Sequence, residues 1–422
     1  MVMDEITEEP AALVERIAAL DIGKAALTAC VRVPHEGRPG ARRQEVRTYA
    51  TLTPALLELR DWLICQGVTL VVMEATSAYW KPPFYLLEDD IECWVVNARD
   101  AKNVPGRPKT DKLDAVWLAK LAERGMLRAS FIPSRPQRQL RDLTRYRRTL
   151  TQERTREKQR AEKLLEDAQI KLSSVISDIF GVSGRAMLAA LIGGQRNPHE
   201  LAALAYRNMR AKTSVLQEAL TGHFTDHHAF MLGMMLARTD ALTAQINTLT
   251  TRIGEAIAPF AAQVAQLDEI PGVGITAAQD ILAEIGTDMS RFPTAGHLVS
   301  WAKFAPKARQ SAGRSKAATT GKGNPWLGGT LGEAATSAAR TKTFLASRYK
   351  RIARRRGRQR ALVAVGNSIL TIAWHLLSDP AAHFTDLGPD WHDRLAPLRR
   401  KHQLIAELER LSGKKVTLHD GA

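Results

Sequence analysis

The sequence predicts a mixed protein, α/β at its N-terminal end and all-α for the remainder, and three observations carry that reading. From Ile17 to about Pro133 short β-branched runs alternate with helical stretches, the pattern of strands and helices layered on one sheet. Between Pro136 and Phe180 there is neither proline nor glycine, while Leu140, Leu143, Leu150, Leu164, Ile170 and Leu172 punctuate a strongly charged run, which predicts one long helix of coiled-coil type. From about Ala186 to Ala258 apolar residues again fall at helical spacing with few breakers.

In the first part, strands are expected at Ile17 to Ile22, Leu27 to Val33, Gln44 to Thr48, Thr69 to Met73 and Glu92 to Asn97, and helices at Pro54 to Gln66 and Asp111 to Arg124. A three-strand meander followed by alternating helices and strands is the order of ribonuclease-H-like folds, an analogy of order only.

At 422 residues the chain is long enough for two to three units of about 150 residues. Hydrophobic residues make up 45%, which excludes global disorder. Sixty Lys and Arg against 44 Asp and Glu leave a net charge of +16, suited to a polyanionic partner without distinguishing DNA, RNA and acidic lipid. Cys30, Cys65 and Cys93 have no zinc or disulfide spacing. Met1 to Pro10 lacks the order of a signal peptide, and no uninterrupted run approaches the ~20 apolar residues of a membrane helix. A cytoplasmic protein with no membrane partner is expected.

Four acids stand out. Asp21 ends the run Ile17-Ala18-Ala19-Leu20, Glu74 ends Val68-Thr69-Leu70-Val71-Val72-Met73, and Asp111 and Asp114 share a helix face at i and i+3. Phosphodiester cleavage needs charge stabilised on phosphorus and on both the attacking and leaving oxygens, which a pair of Mg2+ ions roughly 4 Å apart provides. Carboxylates suffice to hold such ions. For each acid alone, surface solvation or helix capping is the commoner role; their joint placement favours catalysis. Proofreading-type exonucleases also use three Asp and one Glu, but with Asp-x-Glu on the first strand; Asp21-Ile22-Gly23 is closer to junction resolvases, which are RuvC-like.

The basic residues of the long helix, Arg145 and Arg148 among them, suit two readings: contacts along a phosphate backbone, or the solvated face of a stalk. His223, His227 and His228 with Asp226 match no metal-ligand spacing and read as structural or solvated. Ile270-Pro271-Gly272-Val273-Gly274, followed by a helix from Ile275 to Ile285, resembles the hairpin of a helix-hairpin-helix element. There Gly272 and Gly274 would let backbone N–H groups approach a phosphate, although an ordinary turn has the same pattern.

Further on, Phe304-Ala305-Pro306-Lys307-Ala308-Arg309-Gln310-Ser311-Ala312-Gly313-Arg314-Ser315-Lys316 leads into Thr320-Gly321-Lys322-Gly323-Asn324-Pro325-Trp326-Leu327. Together with the upstream acids, this resembles the DEDD-type insertion-sequence transposases, a family of bridge-RNA-guided serine recombinases that also contains a pilin-gene invertase. The resemblance covers almost the whole chain, including Asp386-Leu387-Gly388 and Val416-Thr417-Leu418 near its end.

The resemblance implies a metal-binding tetrad of Asp21, Glu74, Asp111 and Asp114, holding Mg2+ or Mn2+, and a nucleophilic serine at Ser311, which precedes Ala312-Gly313 as the family pattern requires. It implies transposition through a covalent phosphoserine, with element-end and target DNA and a bridge RNA as partners, by homodimers pairing into a tetramer. Arg309, Arg314, Lys316, Lys322 and Asn324 are the expected nucleic-acid contacts beside Arg145, Arg148, Gly272 and Gly274. The implied organisation is a flexible N terminus (1–15), a ribonuclease-H-like metal domain (16–134), a helical coiled-coil region (135–258), a serine-bearing domain (259–380) and a tail (381–422). One departure is visible: relatives commonly carry an arginine soon after Trp-Leu, where this chain has Gly328-Gly329, and the cluster Arg351, Arg354, Arg355, Arg356, Arg358 and Arg360 is a candidate to compensate. Rival readings are a conventional metal-dependent transposase or junction-resolving nuclease, in which Ser311 is incidental, and a decayed, non-catalytic DNA-binding relative.

Overall fold

A computed structural model describes residues 14–37, 41–97, 111–311, 314–394 and 397–416; at 111–112, 307–311, 314–319, 393, 398–400 and 403 only the backbone is described. Nearly all of the expected flexible N terminus, Ala312-Gly313 and Val416's followers Thr417-Leu418 therefore lie outside the described residues. The chain divides into two compact units, one ending at Pro133 and one beginning at Ser134.

The first unit is built on a five-stranded sheet of order β3-β2-β1-β4-β5. Its strands are β1 (Ile17–Ile22), β2 (Ala26–Pro34), β3 (Arg42–Ala50), β4 (Leu70–Glu74) and β5 (Glu92–Val96). Strands β1, β2 and β3 form an antiparallel meander, whereas β4 and β5 run parallel to β1. This is the order and direction of ribonuclease-H-like sheets. Strands β1 and β4 read as unbroken apolar runs because both faces are buried. On one face Ala18, Leu20, Val71 and Met73 pack beneath α1 (Thr53–Cys65) and α2 (Lys81–Leu87). On the other, Ile17, Ala19, Leu70 and Val72 meet Ala115, Leu118, Ala119 and Ala122 of α3 (Asp111–Glu123).

The second unit opens with α4 (Arg135–Asp167), which lies against α9 (Asp226–Ile257) to form a long two-helix arm. Pro136 at its start needs no helical hydrogen bond for its absent N–H. The expected helix to Phe180 ends instead at Asp167, where Gln169 takes a left-handed φ of 60°. Its neighbours are held from across the fold: the N–H of Lys171 donates to the Ala219 carbonyl and that of His223 to the Ala168 carbonyl. Between the arm's strokes, α5 (Leu172–Val175), α6 (Val182–Ile192), α7 (Pro198–Ala203) and α8 (Thr213–Ala219) form a small cluster with its own core. His228 accepts the Thr225 N–H at Nδ1 (3.2 Å) and reaches Asp167 with Nε2 (3.2 Å), so it caps α9 and ties the two strokes together.

The remaining helices are α10 (Ala261–Asp268), α11 (Ile275–Ile285), α12 (Ala295–Trp301), α13 (Pro325–Ala338), α14 (Phe344–Arg356), α15 (Arg358–Ser378), α16 (Trp391–Arg394) and α17 (Pro397–Ser412). One core joins Leu140, Ile253 and Ile257 of the arm to residues from Val264 to Leu377. Within it α15, although interrupted by Gly366-Asn367-Ser368 and His375, reaches by length and mean composition the measure of a membrane span. Its residues Ala361, Val365, Ile369, Leu370 and Ala373 are buried in the core, and a core helix passes the same test. A two-stranded antiparallel hairpin, β6 (Lys307–Ser311) and β7 (Arg314–Thr319), was not signalled by the sequence.

Candidate functional site

In the first unit, the face and end of the sheet can be fixed for each acid. Leu20 of β1 pairs with Met73 of β4, and Asp21 and Glu74 come next on their strands. Side chains alternate along a strand, so both acids belong to the face of Ile17, Ala19, Leu70 and Val72, the face that α3 covers. The direction of α3 follows from its far end. Glu123 accepts from Arg32 Nε (2.7 Å) and pairs with Arg42 (3.1 Å), and Arg32 lies opposite Ile17 at the beginning of β1. Helix α3 therefore runs antiparallel to β1, and its first turn, with Asp111 and Asp114, lies at the end where β1 reaches Asp21. Asp114 is one turn before the buried Leu118, and Asp111 one turn before the buried Ala115, so both start the sheet-facing side of the helix.

Asp21, Glu74 and Asp114 are each half-buried and engaged in interactions; the side chain of Asp111 lies outside the described residues. Among the described residues no three His, Cys, Asp or Glu side chains are grouped to hold a metal ion. The donor set is carboxylate only, which suits hard divalent cations such as Mg2+ and Mn2+.

In the second unit, Ser311 is the last residue of β6 and pairs with Arg314, the first of β7, so the two-residue connection Ala312-Gly313 sets the serine at the tip of a hairpin. Arg309 pairs with Lys316 on the same ladder; the side chains of Ser311, Arg309, Arg314 and Lys316 lie outside the described residues. Gly323 lies against the end of α12, where a Cβ would come within 2.5 Å of the Ala302 carbonyl oxygen. Lys322 is exposed.

Other expected nucleic-acid contacts are held inside the protein. Arg145 donates from Nε to Glu284 Oε1 (2.7 Å) and from Nη2 to Oε2 (2.8 Å), a bidentate pair. Arg141 also pairs with Glu284 (3.4 Å), and burial pushes its guanidinium down to about 10, partly offset by that carboxylate. Asn324 donates to Glu284 (2.5 Å) while its Oδ1 accepts from the N–H groups of Trp326 and Leu327, capping α13. Arg148 donates to Thr330 Oγ1 (3.0 Å) and Glu333 (2.6 Å). Arg147, buried, grips Gln279 and Asp280, each at 2.8 Å. The base of α4 is thus bolted to α11 and α13 by a lattice that spacing along α4 alone does not reveal.

The two glycines of the Pro-Gly-Val-Gly turn separate in role. Gly272 has φ +90°, and a Cβ there would lie 2.3 Å from the Ala334 carbonyl, so its close approach is to α13. Gly274 N-caps α11 with open space around it, leaving the first N–H groups of that helix uncapped by a side chain.

The sheet order, with carboxylates at the ends of the parallel strands β1 and β4, is ribonuclease-H-like, and two family matches define the class. A transposase family model of the DEDD, IS110 type matches residues 18–170, and a model described as the transposase IS116/IS110/IS902 family matches residues 264–350. The protein is a transposase, a DNA-cleaving and recombining enzyme. More narrowly, with the two models together spanning more than half of its length, the chain belongs to the IS110 family. No curated protein matches it.

Proposed function

We propose that this transposase cuts and rejoins element-end and target DNA through a covalent phosphoserine at Ser311, with Asp21, Glu74, Asp111 and Asp114 holding Mg2+ or Mn2+. The observation that supports this best is the common end of the sheet shared by Asp21, Glu74 and the first turn of α3. A bound divalent ion would stabilise charge on the phosphoryl oxygens and lower the pKa of a coordinated hydroxyl. In the chain's own chemistry, Ser311 Oγ loses its proton and bonds to phosphorus, the bond from phosphorus to the 3′-oxygen breaks, and that oxygen leaves as a 3′-hydroxyl. One phosphoester replaces another, so a second 3′-hydroxyl can reverse the step without ATP. In this reading a bridge RNA selects the DNA, and homodimers pair into a tetramer, so acids and serine from different subunits complete one site; the family resemblance supports both points.

The test incubates purified protein with Mg2+, the element's flanking noncoding RNA and labelled junction DNA, followed by denaturing electrophoresis. A protein–DNA adduct that Ser311→Ala abolishes is expected, and Asp21→Asn should abolish it as well. Metal-dependent cleavage that persists in Ser311→Ala would identify water or a 3′-hydroxyl as the nucleophile.

A further inference from the structure

We infer that the exposed basic face of α14, continued through the turn at Gly357 into α15, is a docking surface for the phosphate backbone of duplex DNA. From Ala334 to Ser378 the sequence contains no Asp or Glu. Within that stretch Arg348, Arg351 and Arg355 follow one another at i, i+3 and i+7 on one side of α14, with Arg354 beside them. Gly357, at φ +84°, turns the chain so that Arg358 and Arg360 begin α15, which packs alongside α14.

The contrast with α4 decides what these side chains are for. Arg145, Arg147 and Arg148 each have a carboxylate within 3 Å. Among the described residues no carboxylate pairs with Arg351, Arg354, Arg355, Arg358 or Arg360, all of them exposed. Arg348 is half-buried, its Nε has no hydrogen-bond partner, and burial together with the charge of Arg351 pushes its guanidinium below its ordinary value. Like charges at i, i+3 and i+4 repel one another along a helix. This face weakens the free protein, and an external polyanion relieves it.

The form of the surface favours a duplex. Arg348 to Arg355 spans about 10 Å of helix axis, close to three phosphate steps at about 3.4 Å per strand. Tyr349, the aromatic residue of this stretch, is packed against the core, so the face offers no stacking platform of the kind single strands use. The surface also lies near the hairpin: Asn367 of α15 donates to the Phe304 carbonyl (3.3 Å), three residues before β6. Arg360 is about 10 Å from Asn367 along α15. Duplex DNA held at the turn is therefore gripped close to the base of the Ser311 hairpin. None of these arginines belongs to the proposed metal site, and the inference needs only the DNA-acting class of the protein.

The experiment measures full-length protein against a 30-base-pair DNA duplex and a hairpin RNA by fluorescence anisotropy across 50–200 mM KCl, with thermal midpoints in parallel. Each lost phosphate contact shortens the slope of log K against log salt by about 0.9 on B-DNA. The triple variant Arg351→Gln/Arg354→Gln/Arg355→Gln should therefore give a DNA slope about 2 to 3 units shallower, with an unchanged or higher midpoint. The matching Lys variants should restore the slope. Unchanged DNA affinity and slope would overturn the assignment, as would a loss confined to the RNA. A lowered midpoint together with failure of the Lys variants would assign these residues to the fold instead.

Discussion

Arg145 holds Glu284 with two parallel hydrogen bonds, Nε to Oε1 at 2.7 Å and Nη2 to Oε2 at 2.8 Å, and so fixes α4 across α11. The carboxylate is 2% exposed and is shared with Arg141 and with Asn324, the cap of α13. Removing it leaves Arg145 and the Asn324 amide without this acceptor, and Arg141 with the backbone carbonyls of Ala283 and Glu284. Glu284→Ala is expected to lose roughly 3–5 kcal/mol of stability, measured by urea unfolding, and Glu284→Gln to lose less. Arg145→Ala should cost less than Glu284→Ala, because Arg141 and Asn324 still compensate the carboxylate.

Gly272 and Gly274 sit two residues apart and should respond to the same substitution by very different amounts. Gly272→Ala adds a Cβ at φ +90° and 2.3 Å from the Ala334 carbonyl, so a loss of about 2 kcal/mol or more is expected. Gly274→Ala meets open space and costs about 1 kcal/mol or less as a poorer N-cap. Thermal midpoints of the two variants side by side check the pair.

The glycines at 328 and 329 also differ. A side chain at Gly329 would meet the Arg148 guanidinium at 2.6 Å, whereas nothing lies within 4 Å at Gly328. Gly328→Arg on α13 should stabilise the helix by about 0.5–1 kcal/mol through propensity alone. It also adds a positive charge soon after Trp326-Leu327, where the family resemblance leads one to expect an arginine, so adduct formation should rise. A fall in both midpoint and activity would show that the glycine pair is required here.

Glu269 accepts the Phe384 N–H (2.7 Å) and pairs with His383 (2.8 Å), and these contacts, the N–H first, hold its carboxyl below the ordinary 4.5. A folded-state value below the unfolded one contributes stability that is complete above about pH 4.5 and lost as pH falls through the lower folded value. The segment after Asp379 should loosen over that acidic window. In Glu269→Gln the contribution is missing at every pH, so hydrogen exchange at Phe384 should be faster than in the parent at neutral pH and converge with it in acid.

The sheet was legible because β1 and β4 are buried on both faces, which forces runs such as Leu70-Val71-Val72-Met73. That Asp21 and Glu74 share one face depends on the pairing of Leu20 with Met73, a register the sequence does not carry. What the chain hides is set by distant partners. No proline or glycine announces the end of α4 at Asp167; backbone bonds from Lys171 to Ala219 and from His223 to Ala168 impose it. Lys307-Ala308-Arg309-Gln310-Ser311 lacks the apolar alternation of a strand, so the hairpin of β6 and β7 left no signal. Helix α2 begins Lys-Pro-Pro and was passed over, although proline is tolerated in a first turn. The arginines of α4 read as a phosphate track because the acids that receive them lie more than a hundred residues away.

The clamp at the root of α4 makes that helix a lever. Its 33 residues extend about 50 Å, and among the described residues the ion pairs to α11 and α13 come from the part up to Arg148. A tilt of about 5° at the fastening would carry the far end through roughly 2.5 Å. Conversely, a force on the small helical cluster at the tip arrives at the root multiplied. There it bears on Glu284 and Asn324, the residues that set the first turn of α13, six residues after β7 ends.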